Sequence, residues 1–184
     1  MIKIGDAIRP SVIELDDPTL ENAEILTAFF DTIVFNQPLL GFGYQKHNPV
    51  IVIRFMQKYD CERELYHIRS SIHLAISENR SHWQAFAAAA QMNDIKLSGR
   101  VIAEAGHWSW KASEGEEQFG INLQGGNLFD IRAVPFESMQ CVPPAVLWAL
   151  LSASTKRTGL KENVIQDNKA MSVEVMRLMR LKGE

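Results

Sequence analysis

Ile95-Lys96-Leu97-Ser98-Gly99-Arg100-Val101-Ile102-Ala103-Glu104 is the stretch on which the fold of this chain turns. Ile95, Leu97, Val101 and Ala103 alternate with Lys96, Ser98, Arg100 and Glu104, and Ile102 is the exception. Alternation of this kind marks a strand with one side buried. The pattern continues downstream. Trp108 and Trp110 alternate with His107, Ser109 and Lys111; Phe119, Ile121 and Leu123 alternate with Gln118, Asn122 and Gln124; Phe129, Ile131 and Ala133 alternate with Asp130 and Arg132. The connections are short and turn-rich: Ala105-Gly106, Ser113-Glu114-Gly115-Glu116 and Gln124-Gly125-Gly126-Asn127. The reading is a four-stranded antiparallel meander over about 95–134 with one apolar and one polar face.

Working outward, both flanks read as helical. Ile2 to Leu15 is extended or irregular. Asp17 can cap a helix whose first position suits Pro18, and Leu20, Ala23, Leu26, Phe29, Phe30, Ile33 and Val34 follow at helical spacing. Asn36-Gln37-Pro38 ends it. The β-branched run Val50-Ile51-Val52-Ile53 favours a buried strand, against a helix opened by Asn48 and Pro49. Glu62–Ser77 repeats Leu65, Ile68, Ile72 and Ala75 at intervals of three and four, a helix. Ser81-His82-Trp83-Gln84 has the form of a capping box opening an Ala-rich helix to about Met92. Pro143-Pro144 leads into a helix over Ala145–Thr155, with Lys156, Arg157 and Gly159 suited to its C-terminal end. A last helix covers roughly Asn168–Lys182. The expected fold class is therefore α+β: one domain over 1–184, with the apolar face of the meander covered by N-terminal and C-terminal helices.

With 184 residues, the chain is long enough to bury a core without disulfides or metal. Apolar residues make up 46% and charged residues 22%, and a net charge of −3 gives no overall basic footprint for nucleic acid. Cys61 and Cys141 fit buried free thiols in a reducing compartment, and no zinc spacing occurs. Met1–Pro10 lacks the basic-then-apolar order of a signal peptide. No stretch approaches the ~20 apolar residues of a membrane span. These features point to the cytoplasm and away from a membrane.

No catalytic string is present: no phosphate loop, no Gly-x-Ser-x-Gly, no His-Glu-x-x-His and no Cys-x-x-Cys. Gly41-Phe42-Gly43 does not join a strand to a helix as a dinucleotide loop would. Glu64 with His67 and Glu104 with His107 share the Glu-x-x-His spacing of dinuclear metal bundles, but the second pair falls at a predicted strand corner. His67 and His73 lie about 240° apart on one helix and cannot share an ion. His82 reads as a surface residue at a helix start, and Cys61 has no motif around it. No metal and no cofactor is expected.

Three functional readings remain. The first is a non-enzymatic protein-interaction module: an adaptor, chaperone-like or assembly subunit of a cytosolic complex. It rests on the apolar loop carrying Leu39, Leu40, Phe42 and Tyr44, on the aromatic pair Trp108 and Trp110, and on Met171, Met176 and Met179 in the last helix. The second is a nucleic-acid-binding accessory protein using Lys96, Arg100, Lys111 and Arg132 of the polar sheet face with Arg177 and Arg180. The third is a small enzyme or ligand-binding protein with Glu104 and His107 at a pocket rim.

Overall fold

The computed structural model describes residues 17–34, 49–79, 81–106, 128–131, 133–155 and 164–182. Among them are eight helices: α1 (Ala23–Val34), α2 (Pro49–Lys58), α3 (Glu62–Ser77), α4 (His82–Gln91), α5 (Ile95–Glu104), α6 (Phe136–Met139), α7 (Pro144–Thr155) and α8 (Val164–Lys182). None of the described residues is in a strand.

The expected α+β meander is therefore corrected. Ile95–Glu104, its first strand, is the helix α5. Residues 128–131 and 133–134, from its last strand, form turns, with Ala133 N–H donating to the Asp130 carbonyl at 2.8 Å. The two middle strands lie outside the described residues. The cause of the misreading is arithmetic. Leu97, Val101 and Ala105 recur every four residues, and a spacing of four satisfies period 2 and period 3.6 alike. Ile102, the exception to alternation, falls on the helix's buried side with Leu97, Ser98, Gly99 and Val101. Val50–Ile53 is likewise helical, with Pro49 at the first position of α2 and Val50, Val52, Ile53, Phe55 and Met56 buried. Burial on several sides overrides the β preference of branched side chains.

Local chemistry sets the helix ends. Asp17 Oδ1 accepts the N–H groups of Thr19 and Leu20 at 3.0 and 3.3 Å, which makes a turn there, and α1 starts later, where Asn22 Oδ1 accepts from Ile25 N–H at 3.0 Å. Helices α2 and α4 end alike. Asp60 and Asn93 adopt left-handed φ values of 51° and 54°. The following amides, of Cys61 and Asp94, reach back to the carbonyls of Met56 and Ala89 at 2.9 and 3.0 Å. This is the Schellman closure, which Asn and Asp tolerate better than other non-glycine residues. Asp94 then caps α5, its carboxylate accepting from Leu97 N–H at 3.0 Å. Ser81 does not act as the expected capping box: its φ is 51° and its side chain makes no cap bond.

The core is layered around α4. Its Ala85, Phe86, Ala87, Ala88, Ala89 and Ala90 are all 3% exposed or less. Helices α2, α3 and α5 pack against it; α8 packs on α5, α7 on α8, and α1 on α2. Small side chains let neighbouring helices approach closely on several sides at once. One end of α4 carries an aromatic cluster. Phe86 lies 5.6 Å from Trp83 and 5.1 Å from Phe129, ring centre to ring centre. The α5–α8 contact is tight and partly polar: Ser172 Oγ donates to the Gly99 carbonyl at 2.6 Å, and Asn168 Nδ2 donates to the Gly106 carbonyl at 2.9 Å.

Candidate interaction surface

Helix α1 has apolar residues on two stripes. The inner stripe, Ile25 and Ala28 with the half-buried Phe29, faces α2, and the Phe29 ring meets Phe55 edge-on at 4.9 Å. The outer stripe is Leu26, Phe30 and Ile33, spaced i, i+4 and i+7. Leu26 is half-buried, Phe30 is 53% exposed and Ile33 is 39% exposed. A helix apolar on most of its circumference belongs in an interior, and this one is covered only in part.

The start of α1 is anchored. The Glu21 carboxylate accepts from the Asp17 amide at 2.7 Å and from the Tyr59 hydroxyl at 2.5 Å, and it pairs with Lys58. The Asp17 amide first, then Lys58 and Tyr59, hold the carboxyl down to about 2. A charge-assisted clamp of this kind fixes the orientation in which the outer stripe is presented.

Helix α7 repeats the arrangement. Val146, Ala149, Leu150 and Ala153 are buried, while Trp148 and Leu151 are each more than two-fifths exposed. The sequence alone places all of these in one apolar run. The signal that separates inner from outer side is width: an apolar arc wider than one partner helix can cover leaves a remainder at the surface.

The residues singled out from the sequence fare differently. Leu39, Leu40, Phe42, Tyr44, Trp108, Trp110, His107, Lys111 and Arg132 lie outside the described residues. Lys96 and Arg100 share the exposed side of α5, and Arg177 and Arg180 are exposed on α8. They do not belong to a sheet face. Arg100 Nε donates to Glu104 at 2.8 Å and its Nη1 is 2.9 Å from His73 Nδ1. Arg177 makes two bonds of 2.8 Å to Glu174, which raise its already high pKa. Both guanidiniums are thus compensated locally, and exposed pairs of this kind contribute little to stability.

Among the described residues no group of three His, Cys, Asp or Glu stands close enough to hold a metal ion. Burial, then Glu64 and Asp60, push the Cys61 thiol up, the wrong direction for a nucleophile. His82 is a correction to the sequence reading, because it is 2% exposed rather than on the surface. Its position directly before Trp83, at the start of a helix that carries five alanines and Phe86, is the available signal.

No family model, no curated protein and no solved structure matches the chain. No helix among the described residues is long and apolar enough to cross a membrane.

Proposed function

We propose that this chain is a non-enzymatic protein-interaction module, an assembly subunit of a cytosolic complex. It docks the outer stripe of α1 into an apolar groove of a protein partner. The observation that carries the reading is the exposed pair Phe30 and Ile33, in line with the half-buried Leu26, on a helix whose other side is already packed. Anchors at i, i+4 and i+7 are the usual presentation of a helix to a groove. Phe30 and Ile33 are 53% and 39% exposed, so covering what remains of each is worth roughly half of the ~1.5–3 kcal/mol of a whole apolar side chain. The sequence just after α1 carries Leu39, Leu40, Phe42 and Tyr44, which extends the apolar supply along the chain. Partly buried free thiols at Cys61 and Cys141 suit the reducing compartment of the cytosol.

The test is copurification from the native cell at moderate salt, with and without nuclease, comparing the parent chain with Phe30→Ser/Ile33→Ser. The expected result is a stoichiometric protein partner that survives nuclease and is lost from the double variant. Both side chains are already exposed, so the melting temperature should barely move. A complex kept by the double variant removes α1 as the docking element. Partners released by nuclease favour nucleic acid instead.

A further inference from the structure

His82 is a buried ionisable side chain that docking through α1 does not use. It opens α4 and lies where two helix ends of opposite polarity meet. The first turn of α4 presents backbone N–H groups, which disfavour an imidazolium. Across from it is the last turn of α5, whose Glu104 carboxylate adds its field. That carboxylate is itself engaged by Arg100, which also reaches His73 of α3. Two residues on, the Gly106 carbonyl accepts from the neutral Asn168 of α8, which is fully buried. Ser81, just before α4, holds φ at 51°. For serine that left-handed conformation is strained, and it persists only where surrounding contacts hold it. Next to His82, the indole of Trp83 donates to the Ser138 carbonyl at 3.1 Å, so the same turn also carries α6.

We propose that His82 and the end of α5 form a pH-operated latch: the neutral imidazole stays seated in the buried space at the start of α4, and protonation releases the first turn of that helix. Burial pushes the ring's pKa below its ordinary 6.5, outweighing the opposite pull of Glu104. The open form, with its ring in water, takes a proton near 6.5, whereas the closed form resists it. The open form therefore binds more protons, and the latch holds above pH 6.5 and weakens as the pH falls below it. The opening constant rises about tenfold for each pH unit until the pKa of the closed form is passed.

Hydrogen exchange of the Trp83–Phe86 amides, read by NMR on the whole chain from about pH 7.5 to about pH 5.5 and corrected for intrinsic exchange, tests this. The expected result is opening that is flat above 6.5 and steeper below, while the Ile68–Ile72 amides of α3 stay constant. His82→Gln keeps a neutral hydrogen-bonding group and should flatten the profile. If that variant does not fold, the titration of the His82 ring in the parent protein decides. A midpoint below 6.5 supports the latch, and a midpoint at or above 6.5 overturns it. Flat exchange in the parent protein, or an unchanged profile in His82→Gln, overturns it as well.

Discussion

A single methyl group at position 99 tests how α5 and α8 meet. Gly99 is buried at their contact, and a Cβ built there would lie 2.4 Å from Met176 Sδ, 2.6 Å from its Cγ and 3.1 Å from its Cε. All three atoms belong to one flexible, partly exposed side chain, so the backbone need not move if Met176 swings away. Two effects oppose each other in Gly99→Ala. Alanine is favoured over glycine in a helix interior by about 1 kcal/mol. Overpacking and displacement of a side chain cost about 1–3 kcal/mol. We expect a net loss of about 1 kcal/mol in the parent protein. In a Met176→Ala background the crowding is gone, and the same substitution should stabilise by up to about 1 kcal/mol. The coupling between the two sites is then about 2 kcal/mol, well beyond the ~0.5 kcal/mol scatter of independent sites. Equilibrium urea unfolding of the four proteins, with m unchanged, reads this directly. If Gly99→Ala has the same effect in both backgrounds, the two helices do not meet as described, and the reasoning fails.

Three further outcomes follow from other contacts. The Glu21 carboxyl is held down to about 2, below its ordinary 4.5, so its contribution is complete above 4.5 and is lost as the pH falls towards 2; the melting temperature should drop through that window and Glu21→Gln should remove this part of the drop. Phe86→Ala, at a fully buried ring between Trp83 and Phe129, should cost about 3–5 kcal/mol in urea unfolding. Asp94→Ala removes the cap of α5 and a 3.4 Å contact to Arg69, and should cost about 1 kcal/mol, whereas Asp94→Asn should recover most of it.

The flanking helices were legible because their apolar residues recur at three and four. Glu62–Ser77 is recovered with the boundaries read from Leu65, Ile68, Ile72 and Ala75. The helix over 144–155 is found within one residue and the last helix within four. The error over 95–104 arose because the evenly spaced Leu97 and Val101 suit either period, and the choice was carried by the alternating residues downstream. A signal against it was present. Asn93-Asp94 combines a residue that tolerates left-handed φ with a good cap, the pair that ends one helix and begins the next. The same logic at Asp60 would have favoured a helix over Val50–Ile53. The sequence does not separate the exposed stripe of α1 from its buried side, because it reports apolarity but not how many neighbours are available to cover it. The burial of His82 was hidden by the polar look of Ser81-His82 at a helix start.

The alanines of α4 also bear on how this chain can diverge. Ala85 and Ala87 to Ala90 touch flanking helices on several sides, so the distance between helix axes is set there almost by backbone alone. Alanine loses no rotamer freedom on burial, which makes this an entropically cheap centre. It is also an unforgiving one, since a longer side chain at any of these positions must displace a whole neighbouring helix. Sequence drift is then channelled to the periphery, and the outer sides of α1, α3, α7 and α8 are where lineages of this fold can acquire different surfaces while sharing one middle.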